Sequence, residues 1–234
     1  EQGLKKLMTV NLLKRLESSV EAFRITLDKI EGAVNQTLTR LEMHSDALSE
    51  IDLDLGDMDF DVDDAEDANV EALSFGAKIK VDLADVDIES WQRDLWHDRE
   101  TLRELLDEMR KITPEHDLKL QELKRIVLSK VAQPINPGNK KALIFSAFAD
   151  TANYLYDQLV ARGFGGVAMV TGQGSRGDGV EGETKYFEPI LERFAPYTKL
   201  YREKDWRDFR TTKSPKDGYD DWLEWVQKHH PEVY

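Results

Sequence analysis

The sequence predicts an α/β protein, a long helical hairpin followed by a short parallel sheet with flanking helices. Three observations predict it. Apolar residues recur at helical spacing through two long stretches, 4–48 and 88–130. The cluster Gln133-Pro134-Ile135-Asn136-Pro137-Gly138-Asn139 then stops the helical pattern. Beyond it, two short apolar runs flank one helical stretch, the pattern of a strand–helix–strand unit.

Residues 4–48 are expected to form one helix. Leu13, Leu16, Val20, Phe23, Leu27, Ile30 and Val34 step by three and four along one stripe, and only Gly32 weakens the run. A helix of about 40 residues spans about 60 Å and must bury that stripe against something. The partner is 88–130, where Ile88, Trp91, Leu95, Leu102, Leu105, Met109 and Ile112 repeat the spacing. Thr113-Pro114 interrupts it, because the residue before a proline avoids helical backbone. A shorter helix restarts there, with Leu118, Leu123, Ile126 and Val127 apolar. Two such helices predict an antiparallel hairpin, and the same stripe would also serve a coiled-coil dimer. The expected domains are therefore 1–135, helical, and 139–234, α/β.

The net charge of −14 resides in one segment. Residues 46–89 carry sixteen acidic and two basic side chains, against seven basic and six acidic in 1–45 and 23 basic and 24 acidic in 90–234. The chain's acidity thus does not exclude a nucleic-acid partner elsewhere on it. Within the expected acidic loop, 46–87, aspartates alternate with apolar residues across 52–63. A calcium loop begun at Asp52 would have Gly56 at its fifth position and Asp63 at its twelfth, where an acidic or amide ligand and a glutamate are needed. The match fails, leaving a solvated acidic loop. The sharper alternatives are a mimic of nucleic-acid phosphates or a plug over a basic groove. A short strand is expected over 76–83.

The absence of cysteine excludes disulfides and thiolate metal sites. No apolar run approaches the ~20 residues of a membrane span. The opening EQGLKKLMTV lacks the pattern of a secretory signal, so a cytoplasmic location and no membrane partner are expected.

In the second domain, 142–146 is expected to be a buried strand. Asp150 or Thr151 caps a helix whose apolar positions are Ala152, Leu155, Tyr156 and Leu159, and Gly163 ends it. A second strand follows over 167–170, parallel to the first. Farther on, Arg202, Lys204, Arg207, Arg210, Lys213 and Lys216 interleave with Tyr201, Trp206 and Phe209, a mixture that suits nucleic acid or, at helical spacing, a core. Trp222, Trp225 and Val226 read as core of a terminal helix. His44, His97 and His116 stand alone, and His229-His230 lacks the acidic or histidine spacing of a metal site, so no metal ligands are expected.

The stretch NKKALIFSAFADTANYLYDQLV resembles the start of the second RecA-like (P-loop-type) lobe of superfamily-two helicases, especially the Swi/Snf-like group. Phe145, Ser146, Phe148 and Thr151 match its motif IV. Thr171-Gly172 matches the next landmark, and Tyr186, Ile190, Leu191, Phe194, Ala195 and Pro196 stand where a helix ending is expected. LKKLMTVNLLKRLESSVEAFRITL resembles the segment joining the two lobes in bacterial members, including those with a phospholipase-D-like domain.

The resemblance implies that Ser146, Ala147, Phe148, Thr171 and Gly172 contact the sugar–phosphate track of one strand. Arg176, in the glycine-rich stretch 173–182, would touch a phosphate. The plainer reading is that Ser146 and Thr171 merely end strands and that Phe148 is core. No Walker A loop, no magnesium-holding acidic box and no Q-x-x-G-R-x-x-R arginine-finger pattern occurs in the sequence. The implied function is therefore that of a fragment: an inter-lobe helical arm and a partial second lobe of an ATP-dependent nucleic-acid translocase or helicase. It would contact DNA through the intact parent and pack on the rest of the helicase chain. It would have no catalytic residues and no cofactor of its own, ATP and magnesium belonging to the parent. The alternative is a helical interaction module whose acidic loop binds a basic partner.

Overall fold

Two helices, not one, form the N-terminal arm: α1 (Gln2–Ser18) and α2 (Val20–Met43). The break lies at Ser19, whose hydroxyl accepts the Ala22 N–H at 3.0 Å, as a helix-capping serine does. The backbone ladder survives on either side, with Ser19 N–H to the Arg15 carbonyl at 3.0 Å and Phe23 N–H to the Ser19 carbonyl at 3.2 Å. The break nevertheless changes which face is buried. Leu13 and Leu16, expected on the core stripe, are 55% and 37% exposed. Leu12, Arg15 and Ser19 turn inward instead.

The computed structural model describes residues 2–43, 50–53, 79–82, 86–136, 138–177, 180–182 and 187–231. Their contacts divide the chain into two units, Glu1–Gln158 and Leu159–Tyr234.

In the first unit, α2 lies against α3 (Ile88–Arg110). Phe23 and Leu27 meet Leu106, with Leu102 and Met109 beside them, and Leu41 meets Ile88, Trp91 and Leu95. Early residues of α2 thus contact late residues of α3, which makes the hairpin antiparallel. Burying each large aliphatic side chain contributes about 1.5–3 kcal/mol. The buried residue late in α3 is Leu106, at 1% exposure, whereas Leu105, assigned to the stripe from spacing, is 37% exposed. Phe23, Leu27 and Leu41 of α2 are thus covered within the chain.

Asp87 caps α3, its carboxylate accepting the Ser90 N–H. After the Thr113-Pro114 interruption, Asp117 caps α4 (Leu118–Ala132) in the same way. Between α2 and α3, β1 (Glu50–Leu53) pairs antiparallel with β2 (Ile79–Asp82), Glu50 opposite Asp82. β2 falls within the expected strand 76–83. The candidate calcium frame lies outside the described residues from 54 onward, as does the interior of the acidic loop.

The helix α5 (Ala149–Ala161) follows an extended segment. It ends at Gly163 as expected. Gly163 takes φ +77°, its N–H bonds the Val160 carbonyl at 2.9 Å, and the Phe164 N–H reaches back to the Leu159 carbonyl at 3.2 Å.

The second unit contains β3 (Ala168–Thr171), β4 (Gly174–Gly177) and β5 (Val180–Gly182), an antiparallel meander in that order. The helix α6 (Phe187–Phe194), the π-helical turn Tyr197–Arg202 and α7 (Asp217–His229) complete it. Its core is aromatic. Leu200, Trp222 and Val226 are buried, packed by Tyr201, Trp206, Phe209, Tyr219 and Trp225. Trp206 Nε1 donates to the Leu200 carbonyl at 2.7 Å. The aromatics that interleave with basic residues are thus core, which leaves only the charges for any partner.

Mixed α and β structure is present, but the parallel pair is not formed. β3 pairs antiparallel with β4, and 142–146 belongs to no strand. Within that run Leu143, Ile144 and Phe145 are 64%, 42% and 86% exposed. The physical reason is pairing. An apolar run becomes a strand only when a neighbour accepts its backbone ladder, and 142–146 is paired with none of the described strands. Among the described residues, no helix is long and apolar enough to cross a membrane.

Candidate functional site

The loop 146–148 and the first turn of α5 are held by the α1–α2 junction. Ser146 shapes the loop: its hydroxyl accepts the Phe148 N–H and lies within bonding distance of the Phe148 carbonyl, each at 3.2 Å. The Phe148 carbonyl accepts the Ala152 N–H at 3.1 Å, so α5 starts here, two to three residues before the expected caps. Asp150 and Thr151 therefore lie inside the first turn, where their side chains are available for other contacts.

Both contacts go to the junction. Thr151, 4% exposed, places Oγ1 at 2.8 Å from Ser18 Oγ and 2.9 Å from Ser19 Oγ. Ser18 Oγ is also 3.4 Å from Ser146 Oγ. Four hydroxyls thus form a connected chain between two parts of the sequence more than a hundred residues apart. Arg15 Nη1 donates to Asp150 Oδ2 at 2.8 Å, the arginine side chain being 3% exposed and the aspartate 25%. The same guanidinium lies 4.9 Å from the centroid of the Phe148 ring. Arg15, Ser18 and Ser19 escaped the reading of the sequence. The Ser18-Ser19 doublet inside a long helical pattern was the available signal, since serine competes with helical backbone and favours caps.

The rest of α5 is anchored to the start of α4. Tyr154 Oη donates to Asp117 Oδ2 at 2.9 Å, while Asp117 Oδ1 accepts the Leu120 N–H at 3.1 Å. Asp117 is buried, so these two bonds satisfy a carboxylate withdrawn from water. A cavity of about 390 Å³ lies between α2, the 112–117 turn and α5. Glu21, Asp117, Asp150 and Asp157 line it with Arg24, a wall that repels phosphate.

Of the expected contact residues, Ser146, Ala147 and Phe148 stand together in this loop, Ser146 and Ala147 exposed and Phe148 partly so. Thr171, Gly172 and Arg176 belong to the second unit. Thr171 and Gly172 do not end a parallel strand. Gly172 and Gln173 form the β3–β4 turn, and the Thr171 hydroxyl closes it. That hydroxyl accepts from the Gln173 and Gly174 N–H groups at 3.3 and 3.2 Å and donates to the Gly174 carbonyl at 3.1 Å. Arg176 lies on β4 opposite Met169, partly exposed, inside a strand instead of a loose loop. Among the described residues, no group of three or more His, Cys, Asp or Glu side chains is placed to hold a metal ion. No family model, curated protein or solved structure matched this chain.

Proposed function

We propose that this chain supplies the inter-lobe helical arm and the opening part of the second RecA-like lobe of an ATP-dependent nucleic-acid translocase of the Swi/Snf-like group. It contributes strand contact, not hydrolysis, and DNA is its nucleic acid. The bonding of the α1–α2 junction to the loop at 146–151 carries this reading. Here the expected inter-lobe arm packs on the very stretch that resembles motif IV. The exposed Leu143-Ile144-Phe145 run also supports it, because such a segment suits a sheet completed by further strands. The groups that bind ATP and magnesium would lie elsewhere in the parent.

The test pairs two assays on the isolated chain. It should bind single-stranded DNA with an affinity that falls as salt rises, and should show no magnesium-dependent ATP turnover. Absence of binding at low salt, or measurable turnover, overturns the reading.

A second reading has its own observation. The β1–β2 ladder draws together both ends of the acidic segment, 54–78, between α2 and α3. An interaction module would use that segment to bind a basic partner. Polylysine binding that disappears on deletion of 54–78, with no binding of DNA, favours this reading over the first.

A further inference from the structure

The α1–α2 junction occupies the polar groups that a nucleic-acid strand would need from the loop at 146–151. Thr151 Oγ1 is engaged by Ser18 and Ser19 at 2.8 and 2.9 Å, and Ser18 also reaches Ser146 at 3.4 Å. Thr151 is 4% exposed beneath these contacts, so a phosphate oxygen can reach its hydroxyl only after Ser18 and Ser19 move away. Arg15 covers the Phe148 ring at 4.9 Å, which blocks stacking of a base on that face. Arg15 is also paired with Asp150 at 2.8 Å and is 3% exposed, so its charge is turned inward. One short segment, 15–19, therefore engages a hydroxyl and an aromatic face of the loop at once, while its own cation is turned inward.

We propose that the junction is a latch, and that binding of a strand requires it to withdraw from the loop. This rests on the strand-contact reading of Ser146 and Phe148. In the closed state, Ser18 and Ser19 hold Thr151, and Arg15 holds Asp150 and Phe148. In the open state the hydroxyls of Ser146 and Thr151 face a phosphodiester, and Arg15 exchanges the Asp150 carboxylate for a phosphate. Both partners of Arg15 are anionic oxygens, so the exchange conserves its pairing. The observed affinity is then the intrinsic affinity scaled by the fraction of molecules whose latch is open.

The chain contains no cysteine, so an engineered pair can form only one disulfide. In Ser18→Cys/Thr151→Cys, the two side chains replaced have oxygens 2.8 Å apart, and oxidation joins α1 to α5. Binding of a fluorescent single-stranded DNA oligonucleotide is measured at low salt on the oxidised protein and again after reduction, with circular dichroism of both forms. The latch predicts that the oxidised form binds at least about tenfold more weakly and that reductant restores binding. Equal affinity in the two forms overturns the latch and leaves the strand-contact reading standing. No binding by either form, nor by the unmodified chain, overturns that reading and the latch with it. Ser18→Ala serves as a milder second variant. Loss of its bond to Thr151 should raise affinity up to about fivefold. Unchanged or weaker binding by the folded variant contradicts the latch.

Discussion

Arg15 and Asp150 pair at 2.8 Å across 135 residues of sequence, with the arginine side chain almost wholly buried. Truncating either member strands the other's charge. Asp150→Ala is expected to cost about 3 kcal/mol, because a buried guanidinium loses its carboxylate. Arg15→Met should cost less, about 2 kcal/mol, since Asp150 keeps a quarter of its exposure and can be rehydrated. Urea unfolding of the two variants checks the order; equal stability with the parent protein would show that the pair does not fasten the arm.

Tyr154 tests the second anchor of α5. Its hydroxyl and the Leu120 N–H satisfy the two oxygens of buried Asp117. Tyr154→Phe removes only the hydroxyl and should cost about 1–2 kcal/mol. Asp117→Ala should cost more, because it also removes the cap of α4. Thermal melts of the single variants and the double variant decide it: if the two losses simply add, the residues are not coupled.

The α2–α3 hairpin carries a pH-dependent contact. Arg103 Nε donates to Glu31 Oε1 at 2.8 Å. That hydrogen bond holds the Glu31 carboxyl below its ordinary range, partly opposed by burial. Glu31 therefore ionises more readily when folded than when unfolded. Its stabilisation is full above the ordinary carboxylate range and is lost as pH falls through the lower, folded-state value. Because Arg103 is about half exposed, the contribution is about 0.5 kcal/mol. Glu31→Gln should be the less stable protein at neutral pH and should match the parent in strong acid. A difference that persists in acid would assign its cause to packing.

Gly218 gives a test whose sign is opposite to the usual one. Glycine to alanine within a helix normally stabilises. Here a Cβ would lie 2.7 Å from Tyr201 Oη and 2.9 Å from Thr211 Cγ2. Gly218→Ala should thus destabilise the aromatic core of the second unit by about 1–3 kcal/mol. Tryptophan fluorescence of Trp206, Trp222 and Trp225 during unfolding reads it, and a stabilised variant would contradict the packing described.

These contacts show which features periodicity can reveal. The α2–α3 pairing was legible because Phe23, Leu27, Leu102 and Met109 keep one face through several turns. The break at Ser19 was not, since the apolar spacing runs through it while the buried face rotates from Leu13 and Leu16 to Leu12 and Arg15. Nor was the state of 142–146: an apolar run shows that a segment prefers burial but not which strand pairs with it. Ser146, Phe148 and Thr151 were marked by resemblance, yet their partners on α1 and α2 depend on tertiary folding. Arg15 reads as solvent-facing until its carboxylate is found 135 residues away.

The proposed function requires strand contact at 146–148 in the first unit and at 171–176 in the second. Amide hydrogen exchange with and without single-stranded DNA at low salt measures this directly. Slower exchange over each stretch is expected on binding, with faster exchange at the α1–α2 junction as the proposed latch withdraws. No change over 146–148 and 171–176 in a chain saturated with DNA would contradict it.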